Sequence, residues 1–258
     1  DAHLICTPDH LDDELSTVLK FTLAYLRAFD FTDFEVMLST RPAKYVGEPA
    51  LWDRAEESLR QSIAAADLEY GVDEGGGAFY GPKIDVKIKD ALGRTWQCST
   101  IQLDFNLPRR FNMSFTNSAG EKEAPILVHR AVMGSLERFF GILIEHYAGD
   151  FPLWMAPEQV RILTVSERAD AAAKKVLSAC VASDIRADVD LRNESLGRKI
   201  RDARLLRVPL LVVIGDDEVE KGTVALRTRQ GEQLGTLPVA EAVALIAQRG
   251  MPPALDLA

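Results

Sequence analysis

The stretch that most narrows the fold is Pro125–Tyr147, PILVHRAVMGSLERFFGILIEHY. Ile126, Leu127 and Val128 read as a short buried strand, and Gly134-Ser135 then leads into a helix. Leu136, Phe139, Phe140, Leu143, Ile144 and Tyr147 recur at helical spacing, which predicts one apolar stripe lying on a core. Two polar residues break this background: His129 on the strand and Arg138 one turn into the helix. Glycine at such a junction lets a ligand approach the backbone closely. An arginine beside it offers a planar fork of donors suited to a phosphate. The simpler alternative is a surface ion pair of Arg138 with Glu137 or Glu145.

Around that stretch, the first 150 residues read as an α+β domain. Asp1–Thr7 is a strand expected to pair with something upstream, and Thr7-Pro8 opens a helix running to about Phe29. A strand at Phe34–Leu38 and a helix from about Ala50 to Ala66 follow. Asp73–Pro82 is too glycine-rich for regular structure. Ile84, Val86 and Ile88 alternate with Asp85, Lys87 and Lys89 as a half-buried strand, and Gly93 turns it into an antiparallel partner, Thr95–Leu103. The pattern predicts an antiparallel sheet with flanking helices over residues 1–150.

Gly149–Pro157, GDFPLWMAP, breaks the composition, so residues 151–156 read as a linker and 157–258 as a second domain. There strands at Val160–Val165, Asp188–Leu191, Leu210–Ile214 and Thr223–Arg229 alternate with helices at about Glu167–Val181, Leu196–Leu206 and Pro238–Gln248. One fully apolar strand among them implies a mostly parallel sheet covered on both faces, an α/β domain.

Composition excludes some function classes. No apolar run is long enough for a membrane span or signal peptide. Three scattered cysteines argue against a disulfide framework and for a reducing cytoplasm. The net charge of −9 arises within residues 1–150, where 15 Lys and Arg face 24 Asp and Glu. Bulk charge therefore does not mark a nucleic-acid binder, although a local patch still can.

Four constellations carry chemistry. In Gly75–Lys83, GGGAFYGPK, the glycines alone fit an ordinary hairpin loop, but Tyr80 and Lys83 flank a rigid Gly-Pro and hold a hydroxyl and a cation at fixed separation; Lys83 is a candidate catalytic cation. Gln97–Asp104, QCSTIQLD, is too polar for a core strand, since each buried polar group needs a partner. Thr100 and Gln102 share one face, whereas Gln97 faces the other unless a bulge intervenes. His3 and His129 form no local metal motif and read individually as core histidines. In Asp190–Val208 basic residues outnumber acidic ones; Leu196, Ile200 and Ala203 form its buried side, leaving Arg198, Lys199, Arg201, Arg204 and Arg207 as a solvated face or a phosphate-contacting one. Asn193 reads as a helix cap.

Together DAHLICT, LSTRP, LWDRAE, GGGAFYGPKID, QCSTIQLDFNLP, VHRAVMGSLERFFGILIEHYAG, FPLWMAPEQV, DLRNESLGRKIR and VALRTRQG resemble the threonyl-tRNA synthetases, a family of class II aminoacyl-tRNA synthetases. The resemblance runs from Asp1 to about Gly235. It implies a catalytic-domain portion followed by an anticodon-binding domain, and a parent protein that joins threonine to tRNA(Thr) using ATP with Mg2+. Gly134–Arg138 matches the third class II motif, with Arg138 on the ATP phosphates. His3 and His129 match two ligands of a zinc ion that binds the threonine amino and hydroxyl groups; the third, a cysteine, would lie upstream. Asp1, Tyr80 and Gln102 match the threonine pocket, Gln97 and Thr100 the adenylate side, and Asn193, Glu218 and Arg227 positions that read anticodon bases. The resemblance also implies a homodimeric parent. Without the upstream motifs the chain alone is expected to be a nearly inactive fragment. The rival readings are a non-catalytic tRNA-binding fragment or paralog, and a prolyl or glycyl enzyme of the same class.

Overall fold

The computed structural model describes residues 1–257. The chain divides into two compact units, Asp1–His146 with the chain end from Ala254, and Tyr147–Pro253.

In the first unit β1 (Ala2–Cys6) leads through a 3-10 turn, Pro8–His10, into α1 (Leu11–Ala28). Then come β2 (Phe34–Ser39), α2 (Pro49–Ala65), β3 (Gly71–Asp73), β4 (Lys83–Lys89) and β5 (Thr95–Asp104). The short α3 (Asn106–Arg110) and a hairpin of β6 (Phe115–Thr116) and β7 (Lys122–Glu123) precede β8 (Ile126–Ala131) and α4 (Leu136–His146). Six strands form one sheet in the order β1-β8-β5-β4-β2-β3, antiparallel except for the β2–β3 edge pair, which is parallel. β1 pairs with β8 and forms one edge of this sheet.

Alternation along the strands gives this sheet two chemically different faces. Val36, Leu38, Ile84, Val86, Ile88, Ile101, Leu103 and Val128 are buried on one face, with Leu15, Leu19 and Leu26 of α1 and Trp52, Leu59 and Ile63 of α2 also buried. Each such side chain contributes about 1.5–3 kcal/mol of transfer free energy.

The stripe predicted on α4 is only partly buried. Phe139, Ile142 and Leu143 are inside, while Leu136, Phe140 and Ile144 are exposed. At about 100° per residue the apolar residues of this helix span more arc than one neighbouring surface can cover. The edge that wins packs Phe139 against Phe29 and Phe31, with ring centroids 5.3 and 6.0 Å apart.

The second unit runs β9 (Val160–Thr164), α5 (Asp170–Ala182), β10 (Ala187–Asp190), α6 (Leu196–Leu205), β11 (Leu210–Ile214), α7 (Asp216–Lys221), β12 (Thr223–Thr228), β13 (Gln233–Pro238) and α8 (Val239–Arg249). The strand order is β10-β9-β11-β12-β13. β10, β9 and β11 are parallel, and β12 and β13 extend them antiparallel. The apolar strand β11 lies at the centre, as its composition requires. α5 and α8 cover one face through Ala173, Val176, Val243 and Ile246, and α6 covers the other through Ala203.

Candidate functional site

The register of the first sheet gathers its polar residues on the face opposite the apolar core. Gln102 lies across from both His129 and Lys83, Thr100 across from Asp85, and His3 across from His129. His3 and His129, 126 residues apart in sequence, thus meet edge to face with ring centroids 4.7 Å apart. Tyr80 reaches the same spot from the glycine-rich loop. Its ring centroid lies 5.8 Å from that of His129, and its hydroxyl donates to Gln102 Oε1 at 2.9 Å. Burial first, and the Asp104 charge second, push the Tyr80 pKa up, so the hydroxyl is a donor at neutral pH.

Asp104 holds this cluster in place and was not singled out from sequence. One carboxylate oxygen accepts the amides of Asn106 and Leu107, and the other lies 3.0 Å from His129 Nε2. A carboxylate on one ring nitrogen fixes the imidazole and leaves Nδ1 to face a ligand, as in many metal-bound histidines. The histidine pair therefore fits two ligands of a zinc ion. Among the described residues no group of three His, Cys, Asp or Glu is placed to hold a metal. Cys6 and Cys98 are buried, with pKa values pushed up to about 11, chiefly by burial, and neither joins the pair.

A second cluster surrounds Asp85. Only 5% of its side chain is exposed, and it accepts hydrogen bonds from Lys83 Nζ, Ser39 Oγ (3.2 Å), Gln97 Nε2 (2.6 Å) and Thr100 Oγ1 (2.8 Å). Gln97 joins Thr100 because the β4–β5 register shifts between Val86 and Lys87, leaving Cys98 as the extra residue of a bulge. Alternation alone put Gln97 on the far face. The bulge brings it back, and Gln97 Nε2 lies 2.9 Å from Thr100 Oγ1. Lys83 is engaged by Asp85, so its ammonium orients this network. Strand alternation made Asp85 look solvated like Lys87 and Lys89; apart from Lys83 on its own strand, its donors come from β2 and β5, which no local pattern reveals.

α4 begins over this bulge. Gly134 has φ +65°, and a Cβ there would lie 2.9 Å from the Cys98 carbonyl oxygen. What its missing side chain admits is thus the β5 backbone. Arg138 is exposed and lies over the Trp96 ring, 5.3 Å from the centroid. Glu137 instead accepts from Ser135 Oγ, and Glu145 pairs with Arg94. Among the described residues no carboxylate lies within ion-pair distance of Arg138. Asp1 lines a cavity of about 380 Å³ with Phe21, Tyr25, Arg130 and Met133.

In the second unit Asn193 follows β10 and Glu218 lies on α7 after β11, so both belong to the carboxyl ends of the parallel strands, where α/β sheets commonly bind ligands. Asn193 is exposed and does not cap α6; Ser195 does, its Oγ accepting from the Arg198 amide. Glu218 accepts from the Gly215 amide at 2.9 Å. Arg227 on β12 pairs with Leu211, three residues and about 10 Å by strand rise from the end of β11. The basic face of α6 is smaller than its sequence suggests. Lys199 is 2% exposed and donates to Thr164 O, Thr164 Oγ1 and Asp190 O at 2.9–3.2 Å.

Comparison with known proteins agrees with this two-unit arrangement. Residues 1–147 match the family described as tRNA synthetase class II core domain (G, H, P, S and T), and residues 159–249 match the anticodon binding domain. The threonine–tRNA ligase of Magnetococcus marinus is 53% identical over 256 residues, 99% of this chain and 40% of that protein. That of Acidithiobacillus ferrooxidans is 53% identical over 239 residues, 93% of this chain and 37% of that protein. The chain thus spans about two fifths of the length of these relatives. The RNA binding domain of threonyl-tRNA synthetase from Cryptosporidium parvum superposes with a TM-score of 0.92 at 33% identity, over 98% of this chain and 64% of that one. A class II core with an anticodon-binding domain after it places the chain in one family: it belongs to the class II tRNA synthetases of the G, H, P, S and T group.

Proposed function

We propose that this chain is the threonine-recognising and anticodon-recognising part of a threonine–tRNA ligase. The whole protein would convert threonine and ATP, with Mg2+, to threonyl-adenylate and transfer the threonyl group to tRNA(Thr). The observation that carries the reading is the His3–His129 pair beside Tyr80 and Gln102, within a chain about half identical to threonine–tRNA ligases.

His3 and His129 would hold zinc together with a ligand outside the described residues. When bound, that ion supplies recognition of the amino and hydroxyl groups of threonine, which valine cannot satisfy because it has no hydroxyl. Asp104 keeps His129 oriented, and the neutral Tyr80 hydroxyl, Gln102 and Asp1 contact the amino acid. Gln97 and Thr100, fixed by Asp85 and Lys83, face the adenylate. Arg138, with no carboxylate to satisfy it, neutralises an ATP phosphate, where charge accumulates in the transition state. Asn193, Glu218 and Arg227 read anticodon bases. The protein works in the cytoplasm as a homodimer.

Threonine-dependent ATP–pyrophosphate exchange by the full-length protein carrying this chain tests the proposal, with zinc measured on the same sample. Exchange should respond to threonine and not to valine, proline or glycine, and His129→Ala should remove both zinc and exchange. Exchange driven by proline or glycine would point to another amino acid. tRNA binding with no exchange would favour the non-catalytic reading.

A further inference from the structure

At the turn between β12 and β13 the chain carries a cluster of guanidinium groups that the reading above does not use as a group. A Cβ built on Gly231 would lie 3.3 Å from Arg227 Nη2 and 3.4 Å from Arg204 Nη2. One arginine comes from β12 and the other from α6, so two elements aim their cations at the same point beside a residue without a side chain. Among the described residues, no carboxylate lies within ion-pair distance of either; Asp150 takes Arg207 and Arg229 instead. Arg204 Nε donates to the Arg229 carbonyl oxygen, which fixes its fork, and Arg227 Nε is buried without a hydrogen-bond partner. Two converging like charges with donors unspent form an arrangement that an anion completes.

We propose that Arg204 and Arg227, converging over Gly231, form a binding site for a backbone phosphate of RNA. The inference rests on the tRNA-binding reading of this unit and deepens it. In that reading Arg227 faces a base; here a second arginine beside it adds a contact that carries no sequence information. A phosphodiester suits the site because planar forks bind phosphate oxygens in pairs. Arg204 is exposed at the rim, where a long polyanion can reach it.

The test is equilibrium binding of the 258-residue chain to tRNA(Thr) and to the same tRNA with its anticodon replaced, at several salt concentrations. Arg204→Ala should weaken both RNAs by the same factor, roughly three- to tenfold, and lower the slope of log affinity against log salt by about one. Arg204→Lys should keep the slope while losing part of the affinity. Inorganic phosphate at millimolar concentration should compete weakly with RNA; competition as strong as that of RNA would identify a small-anion site and overturn the RNA assignment. Unchanged affinity and slope in a folded Arg204→Ala protein, or a loss confined to one anticodon, would overturn the proposal and leave the tRNA reading standing. No tRNA binding by the unsubstituted chain would overturn both.

Discussion

Buried carboxylates dominate the residue scale. Asp85 gathers donors from β2, β4 and β5, so Asp85→Asn removes the charge that Lys83 faces, with the lysine side chain only 18% exposed. Breaking a pair this buried costs about 3 kcal/mol, and chemical denaturation should show that loss while the isosteric amide keeps the backbone in place. Asp90 behaves differently. Burial works against its charge, but hydrogen bonds from the Trp96 indole, from the Arg94 amide and guanidinium, and from the Leu92 amide prevail and hold its carboxyl down to about 2. A carboxyl depressed in the folded state stabilises the fold fully above its unfolded pKa near 4. That contribution is lost as pH falls through 2. The unfolding midpoint should therefore drop between about pH 4 and pH 2, and Asp90→Asn should flatten that part of the profile. If the profile keeps its slope, other carboxylates carry the acid sensitivity. Asp104 belongs to the same scale: one residue both starts α3 and orients His129, and neither task shows in the string LDFN.

Among the elements, α6 shows how far a helical wheel reaches. Spacing placed Leu196, Ile200 and Ala203 on the inner side and assigned Lys199 to the basic face. The neighbouring Thr164 and Asp190 carbonyl oxygens then decided otherwise, because a lysine at the edge of a buried stripe can turn inward when its three donors find three acceptors. Lys199 thereby ties α6 to β9 and the end of β10. Lys199→Met keeps the stem but strands these oxygens, and should cost about 2 kcal/mol in urea unfolding of the whole chain. A stability within 0.5 kcal/mol of the parent, the range of neutral surface changes, would mean that water replaces the ammonium. The bulge at Cys98 is the counterpart in a strand: one extra residue on β5 decides which face Gln97 serves.

For the molecule as a whole, each unit has its own core, and residues 147–253 bury a contiguous cluster from Val160 to Ile246. A protein of residues 147–253 alone should unfold cooperatively with a helix content matching that unit; a non-cooperative melt would show that its core is insufficient. Sequence by itself determined a good deal here: the central apolar strand Leu210–Ile214, the alternation of Ile84, Val86 and Ile88, and the helix after Gly134-Ser135. All of these depend on periodicities of two or 3.6 residues, which a chain carries locally. The same is true of the family, because its motifs are contiguous strings. Missing from the sequence were strand β13, helix α7 and the parallel β2–β3 edge, since a two-turn helix and a solvated strand leave too little apolar pattern to read. Only tertiary structure decided that His3 lies opposite His129, that Gln97 and Thr100 meet on Asp85, and that Arg204 and Arg227 converge at Gly231. Each of these is a pairing between segments distant in sequence, set by strand register and helix packing. Register depends on how whole faces bury their apolar residues together, and no local window contains that information.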